Sequence, residues 1–276
     1  MINNITQSDV NRGLFLELMI QCLTNEVYGE AEYIAASVQG RFARFINPYL
    51  QSKGLRTIKS VGYDAHKRTM GLDWPPYAHT MVGRKRLENL RYCAQKVIED
   101  NVPGDFIETG VWRGGSTIFM RAILKSYGIN DRNVWVADSF EGLPAPNANA
   151  YPADKGDTHH TIDELRVDIE AVKNNFIRYG LLDDQVKFLK GWFKDTLPTA
   201  PFEKLAIARL DGDMYESTMD AIKTLYPKLS IGGFLIVDDY CIEMCKQAIT
   251  DYRRDHHITE VIVDIDGTGV FWRKAS

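Results

Sequence analysis

Residues 106–116 have the sequence FIETGVWRGGS, in which an apolar run passes into a turn that contains three glycines. The apolar periodicity that follows predicts a helix, so the segment has the order strand, glycine-rich turn, helix. In an open parallel sheet the first such turn lies at the carboxyl ends of the strands, where ligands bind. Glycines let the backbone come close to a ligand, and the free N–H groups at the helix start can bind a carboxylate. The segment therefore predicts a small-molecule site at one edge of a parallel sheet.

The spacing of the glycines restricts the kind of ligand. Gly110 and Gly114 do not form the GxGxxG pattern of dinucleotide-binding turns, so a pyrophosphate fits poorly and a nicotinamide-dependent oxidoreductase is disfavoured. Glu108, two residues before the first glycine, suits a ligand that carries an ammonium or sulfonium charge. Taken alone, the motif is also compatible with a glycine-rich turn that binds nothing.

Strand and helix patterns alternate from residue 104 onward, which predicts right-handed βαβ units and a mainly parallel sheet. The predicted strands are 105–109, 134–137, 186–189, 205–210, 233–237, 260–264 and 270–273. The predicted helices between them are about 116–127, 162–179, 215–226 and 242–255. Only residues 265–269 separate the last two strands, and this connection is too short for a crossover helix. These two strands are therefore expected to pair as an antiparallel hairpin.

The chain is expected to divide near residue 100. Upstream of it, the helices predicted from apolar spacing are about 14–22, 31–46 and 84–100, with a loop-like stretch at 53–79. We expect residues 1–100 to form an all-helical cap that takes part in oligomerisation and acceptor binding, and 101–276 to form the ligand-binding α/β domain. The apolar helices exceed what such a sheet needs to cover its faces, which predicts a homo-oligomer.

Composition excludes several classes of protein. The 276 residues are 45% hydrophobic and 25% charged with a net charge of −4, which is typical of a soluble globular chain. The longest strongly apolar run, 234–237, is far too short for a membrane span. The first residues have neither a basic stretch nor a continuous apolar segment, so we expect no secretory leader in them. A pI near 5.9 disfavours nucleic acid as a partner, and four scattered cysteines offer no zinc motif. We expect a cytoplasmic protein with a small-molecule partner and no membrane partner.

Acidic residues follow three further strands. Asp138 ends the second strand, where a carboxylate can accept both hydroxyls of a ribose, although a loop cap is the alternative. Asp211 and Asp213 follow the fourth strand, and Asp238 and Asp239 follow the fifth. Carboxylates that converge on one rim repel one another without a counter-cation, and their hard oxygens suit Mg²⁺. Helix caps explain one carboxylate in each turn but not two, so a metal site is favoured.

These motifs together resemble the macrocin O-methyltransferase family. The resemblance is carried by ExGxxxG at 108–114, DSFEGLP at 138–144, LDGDMYEST at 210–218 and DDY at 238–240, with CLTN at 22–25 and TMVG at 80–83 upstream. It covers nearly the whole chain. The family comprises S-adenosylmethionine- and Mg²⁺-dependent sugar O-methyltransferases of antibiotic biosynthesis. The resemblance implies an α/β class I methyltransferase fold, a Rossmann-like sheet of seven strands with an antiparallel last strand.

The resemblance also implies roles for individual residues. The residues expected around the methionine part of S-adenosylmethionine are Glu108, Gly110, Gly114 and Ser116, with Thr80 and Met81 covering it. Those expected around the nucleoside are Asp138 on the ribose, Ser139 beside the adenine and Trp192 over the adenine ring. The expected Mg²⁺ ligands are Asp211, Asp238 and Asp239. For Trp192, a purely structural aromatic residue is the alternative.

A sugar hydroxyl must lose its proton to become a nucleophile, so the site needs a base. Asp211 is the first choice because it is expected to lie at the metal. His160 or His159 is the alternative, in a loop at 156–160 that lies where an active-site lid belongs. Paired loop histidines are more often solvated than catalytic.

Two other functions compete with this one. A haloacid dehalogenase-like phosphatase also has a DxD motif, as at 211–213, and a distal acidic pair, but its DxD follows an early strand. A non-catalytic nucleoside-binding assembly protein is expected to lack the metal carboxylates, which are all present here. The sequence does not identify the acceptor sugar or its hydroxyl.

Overall fold

The computed structural model describes residues 6–36 and 43–275. Its strands are β1 (Glu32–Ala36), β2 (Thr57–Val61), β3 (Asp105–Thr109), β4 (Val134–Asp138), β5 (Val186–Lys190), β6 (Leu205–Leu210), β7 (Leu229–Val237), β8 (Val263–Asp264) and β9 (Val270–Arg273). Its α-helices are α1 (Gln7–Leu23), α2 (Ala43–Ser52), α3 (Ala65–Met70), α4 (Arg84–Glu99), α5 (Gly115–Ser126), α6 (Ile169–Arg178), α7 (Phe193–Thr196), α8 (Tyr215–Lys228) and α9 (Glu243–Asp255). In this part of the chain, no helix is long and apolar enough to cross a membrane.

Strands β3 to β9 form a seven-stranded sheet in the order β5-β4-β3-β6-β7-β9-β8. The pairs from β5 to β7 are parallel, whereas β9 runs antiparallel to both β7 and β8. This confirms the predicted class I methyltransferase sheet and its C-terminal hairpin. Along the sheet, the strand order changes direction between β3 and β6, and a crevice opens at such a point in an α/β sheet.

Helices cover both faces of the sheet. Helices α1, α4, α5 and α6 contribute to one buried apolar cluster, and α8 and α9 contribute to a second. All six residues of β6 are buried because this central strand is covered on both faces. One of them is a charged residue, Arg209, and a charge without water around it must be paired.

The N-terminal segment is not all helical, so this prediction was wrong. The helix predicted at 31–46 is replaced at 32–36 by strand β1, which pairs antiparallel with β2, while 37–42 lie outside the described residues. The loop-like stretch at 53–79 contains β2 and α3. Apolar spacing does not distinguish a strand of five residues from one helical turn. What fixes β1 is a partner about 25 residues away and the ion pair of its buried Glu32 with Arg68.

Helices α1 and α4 share their apolar cluster with the sheet. Leu16 and Ile20 of α1 and Leu87 of α4 are fully buried in the cluster that also contains Phe106 of β3 and Phe119 of α5. The two segments are therefore packed as one body on this face. The roles assigned to residues 1–100 and 101–276 stay predictions.

Helix α6 is shorter than the helix predicted at 162–179. The helix begins at Ile169 instead of 162, because Asp168 accepts a hydrogen bond from the Ala171 N–H and caps it. Residues 159–165 form two short 3₁₀ turns. Gly180, at φ +64°, ends the helix as predicted, with its N–H bonded to the Ile177 carbonyl.

Candidate active site

A cavity of about 300 Å³ opens at the carboxyl ends of the parallel strands. Its lining contains six of the residues predicted for the site, namely Met81, Gly110, Asp138, Ser139, Trp192 and Asp211. The other predicted residues are not part of this lining, namely Thr80, Glu108, Gly114, Ser116, His160, Asp238 and Asp239. The structure thus brings six of the predicted residues to one cavity at the carboxyl edge of the sheet, whereas His160 and the other six do not reach its surface.

Three bulky or charged residues at this edge have a left-handed backbone. Trp112 follows β3 at φ +47°, Phe140 follows β4 at φ +57°, and Asp213 follows β6 at φ +55°. Such a conformation is rare outside glycine and costs about 1–3 kcal/mol for each residue. It persists only where surrounding contacts enforce it, and it concentrates at functional sites.

Residue 110 must be glycine because of the packing of the chain around it, independently of any ligand. Its φ is +85°, and a Cβ atom there would lie 1.7 Å from the Asp211 carbonyl oxygen. The turn after β3 therefore touches the turn after β6 at backbone distance. Gly114, at φ +86°, precedes α5, and a Cβ atom there would lie 2.8 Å from a methyl group of Val172. Close packing explains both glycines, whatever ligand approaches them.

The N-terminal segment crosses the start of α5 in close contact. A Cβ atom on Gly115 would lie 2.5 Å from both the His79 carbonyl oxygen and the Thr80 Cβ. Thr80 is buried, and its hydroxyl accepts a hydrogen bond from the Val82 N–H at 3.2 Å. Met81, between them, lines the cavity. We call residues 75–82 the strap.

Trp112 and Arg113 join the glycine-rich turn to two other segments. Arg113 Nη1 donates hydrogen bonds to three carbonyl oxygens within 75–78 of the strap, at 2.7 to 3.2 Å. Trp112 Nε1 donates to the Glu164 carbonyl oxygen at 2.8 Å. With the left-handed backbone at Trp112, the side chains of Trp112 and Arg113 therefore bond to two different segments. We call residues 139–168, which contain Glu164, the lid.

Asp138 ends β4 at the cavity wall. One carboxylate oxygen accepts the Val111 N–H at 2.7 Å, and the other accepts the Phe140 N–H at 2.7 Å. These bonds fix the carboxylate at the cavity wall. Burial raises the pKa of Asp138. The Ser139 hydroxyl donates to the Gly142 carbonyl oxygen at 2.7 Å and stabilises the turn.

A buried guanidinium group joins the acidic residues of three strands. Arg209 of β6 pairs with Glu108 of β3 at 2.5 Å, with Asp211 at 2.7 Å, and with Asp238. Both Arg209 and Glu108 are 2% exposed. Glu108 is therefore a partner of Arg209 behind the cavity wall. Its second oxygen is buried, and no partner for it is seen among the described residues. Burial raises the pKa of Glu108 to about 8.

The three predicted metal ligands lie together. One carboxylate oxygen from each of Asp211, Asp238 and Asp239 lies within 4.8 Å of the others. Burial and repulsion by the neighbouring aspartates raise the pKa of Asp239 well above its usual value and that of Asp211 to about 6. Although burial opposes it, Arg209 and Arg86 hold the pKa of Asp238 below its usual value. Asp238 is thus compensated by two arginines, Asp211 by one and Asp239 by none among the contacts described.

Asp213 was counted among the converging carboxylates but was not assigned as a metal ligand or as the base. It lines the cavity, and its N–H donates to the Asp239 carboxylate at 3.0 Å. Over residues 6–36 and 43–275, no hydrogen bond or ion pair to the Asp213 carboxylate is found. Burial and the charge of Asp211 raise its pKa to about 7. The left-handed backbone conformation that orients this residue could not be predicted from the sequence.

The lid contacts the start of α8 near Asp213. The buried Asp154 accepts hydrogen bonds from the N–H groups of Tyr215 and Glu216 at 2.7 and 3.0 Å. His159 Nδ1 is paired with the buried Asp157. The predicted His160 is half-buried, and its Nδ1 has no partner among the residues described.

The fold and this site define a class I methyltransferase. The sequence profile described as Macrocin-O-methyltransferase (TylF) matches residues 12–274, and the chain belongs to this family. It is therefore an O-methyltransferase, and the phosphatase and non-catalytic alternatives are wrong.

Known relatives span almost the whole chain. The chain is 52% identical over 264 residues, 95% of its length and 93% of the relative's, to 8-demethyl-8-(2,3-dimethoxy-alpha-L-rhamnosyl)-tetracenomycin-C 4'-O-methyltransferase of Streptomyces olivaceus. It is 47% identical to Mycinamicin III 3''-O-methyltransferase of Micromonospora griseorubida, over 95% of this chain and 97% of the relative. The solved structure of the O-methyltransferase NovP is 45% identical, with a TM-score of 0.83 over 96% of this chain and 100% of that one.

The contacts of Arg113 predict its effect on the cofactor pocket. Arg113→Met removes the donor that holds three strap carbonyls, so Thr80 and Met81 lose their fixed position. We expect the affinity for S-adenosylhomocysteine to fall by about tenfold, the equivalent of one to two net hydrogen bonds. Isothermal titration calorimetry measures it. Arg132→Met, at the opposite edge of the sheet, is the control, and equal affinities in the two variants would contradict the prediction.

Proposed function

We propose that the protein transfers a methyl group from S-adenosylmethionine to a sugar hydroxyl of a glycosylated natural product, with Mg²⁺ as a second cofactor. The observation that carries this proposal is a single cavity that has the Asp138 turn on one wall and the acidic residues Asp211 and Asp213 on another. Relatives named for a rhamnosyl-tetracenomycin and for mycinamicin III support a glycoside acceptor.

The cofactor fits the residues present. A cavity of about 300 Å³ is at the lower end of the usual range for small-molecule sites. Asp138 would accept the ribose hydroxyls, with Ser139 and Trp192 beside the adenine. The methionine part would lie between the strap and the turn formed by Gly110 and Gly114, where the orphan oxygen of Glu108 and the buried Ser116 offer polar partners. When bound, S-adenosylmethionine supplies an electrophilic methyl group on a sulfonium.

A divalent cation also fits. Six carboxylates lie in this cluster, those of Glu108, Asp211, Asp213, Asp238, Asp239 and Asp266. Two guanidinium groups, those of Arg86 and Arg209, pair with four of them, Glu108, Asp211, Asp238 and Asp266. If all are ionised, four negative charges remain, and Mg²⁺ held by Asp211, Asp238 and Asp239 would halve them. A cation held there would lower the pKa of an acceptor hydroxyl and fix its position.

Asp213 is the better base than Asp211 or His160. The Asp211 carboxylate is already engaged by Arg209 at 2.7 Å, and a metal ligand has little free basicity. Asp213 lines the same cavity without such a pairing, and its left-handed backbone holds it beside Asp239. His160 lies outside the cavity lining. We therefore assign proton removal to Asp213 and cation binding to Asp211.

Methyl transfer tests the proposed function. Labelled S-adenosylmethionine is incubated with rhamnosyl and related glycosides, with Mg²⁺ or with chelator. We expect a labelled sugar ether in Mg²⁺ and none in chelator, because the hydroxyl then keeps its high pKa. Full activity in chelator would overturn the metal role, and transfer to a group other than a sugar hydroxyl would overturn the substrate class.

Two matched variants separate the base from the metal ligand. Asp213→Asn keeps the shape but removes the proton acceptor, so kcat is expected to fall about 10²- to 10⁴-fold without rescue by Mg²⁺. Asp211→Asn weakens a cation ligand, so excess Mg²⁺ is expected to restore part of its rate. Steady-state rates over a range of Mg²⁺ concentrations measure both. Rescue of Asp213→Asn but not of Asp211→Asn would return the base role to Asp211.

We also propose a homo-oligomer that is formed through the N-terminal segment and works in the cytoplasm without nucleic acid or membrane partners. The outer faces of α1 and α2 expose large apolar side chains, among them Leu14 at 66% and Phe45 at 62%. Patches of this kind commonly mark interfaces. Light scattering at micromolar concentration is expected to give a multiple of the 31.4 kDa chain mass. The monomer mass would contradict it.

A further inference from the structure

Asp238 is shared by two buried guanidinium groups. Arg209 of β6 donates to one carboxylate oxygen of Asp238, and Arg86 of α4 donates to the other. Both oxygens of one predicted metal ligand are therefore engaged by positive charges of the chain itself. One of these charges comes from the N-terminal segment and the other from the centre of the sheet.

Arg86 is firmly held where it lies. Its Nε donates to Asp266, in the connection between β8 and β9, at 2.8 Å. The Asp266 side chain is fully buried and also accepts the N–H groups of Thr268 and Gly269 at 3.0 Å. The guanidinium group thus bridges two fixed carboxylates, Asp266 and Asp238, and its position over Asp238 follows from the fold.

The three predicted ligands are unequally compensated. Asp211 has one oxygen on Arg209 and one free of arginine. Asp239 accepts only the backbone N–H of Asp213 among the contacts described. Asp238 meets a guanidinium at each oxygen.

We propose that Arg86 and Arg209 are resident cations of the carboxylate cluster, which keep it assembled without an added ion and weaken the binding of a divalent cation by neutralising Asp238. This inference rests on the proposed metal site. A divalent cation entering between Asp211, Asp238 and Asp239 meets the repulsion of both guanidinium groups. Binding is therefore reversible and depends mainly on Asp211 and Asp239.

The sign of this effect distinguishes it from a simple positioning role. If Arg86 only oriented Asp238, removing it would weaken cation binding. If Arg86 neutralises Asp238, removing it strengthens cation binding, because Arg209 still holds the carboxylate while one positive charge is gone. We expect Arg86→Met to tighten binding by about tenfold or more.

Calorimetric titration of the full-length, chelator-treated protein with Mn²⁺ alone, and then with Mg²⁺ alone, tests this at constant ionic strength. Arg86→Lys keeps the charge and is expected to bind as the wild type does. Arg86→Gln loses the charge but keeps a donor, so it tests the same point if Arg86→Met does not fold. The matched control is Arg84→Met on the same helix, where Arg84 pairs with Glu17 and Glu26.

Thermal melting gives a second readout without catalysis. The Mn²⁺-induced rise in Tm is expected to be larger for Arg86→Met than for wild type. At a given Mn²⁺ concentration, the stabilisation of the folded state by a bound ion grows as its Kd falls.

Tighter binding in Arg86→Met or Arg86→Gln, with Arg86→Lys and Arg84→Met unchanged, supports the inference. Unchanged or weaker binding in both neutral variants overturns it and leaves the metal site standing. Absence of binding in wild type and in every variant overturns both.

Discussion

A single buried ion-pair network, centred on Arg209, holds the ends of the central strands together. Arg209 lies opposite Glu108 in the register of β3 and β6, and it also reaches Asp238 beyond the end of β7. Burying one partner alone would cost several kcal/mol, whereas the complete set is mutually compensated. The carboxyl ends of β3, β6 and β7 must therefore lie side by side, and the cavity opens at this edge of the sheet.

Close approach of two turns is the second constraint. The turn after β3 contacts the turn after β6 through Gly110 and the Asp211 carbonyl, although about 100 residues separate them in sequence. These two strands are neighbours at the point where the strand order changes direction, so the crevice opens between them. The same contact brings the turn proposed for the cofactor beside the carboxylates proposed for the cation. One steric requirement thus joins the two halves of the proposed chemistry.

The sequence predicted the parallel strands well because most of them are short apolar runs that end in, or are followed by, glycine or aspartate. The bounds of two strands were wrong, since β7 begins at Leu229 instead of 233 and the strand predicted at 260–264 is limited to β8 at 263–264. Both β3 and β6 have the predicted bounds, and the five-residue connection before β9 sufficed to predict its reversal. Strand β1 was missed because its partner and its ion pair are distant in sequence. Arg209 was missed because, inside an apolar run, nothing local shows which carboxylates a buried arginine will meet. The ion pair of Glu108 with Arg209 was missed for the same reason, since it too is a long-range contact.

The turn after β3, residues 110–114, contacts the strap and the lid, which both border the cavity. Trp112 is held in a conformation that costs about 1–3 kcal/mol, and the contacts made there offset this cost. Trp112 binds the lid at Glu164, and Arg113 binds the strap at 75–78. The turn after β3 is therefore joined by hydrogen bonds to both the strap and the lid. Because the strap is continuous with α4, which is buried against the sheet, the N-terminal segment takes part in the site through packing as well as through its position. Adjacent residues of one turn thus set the positions of both segments that border the cavity, and the proposed acceptor would pass between them to reach the carboxylates.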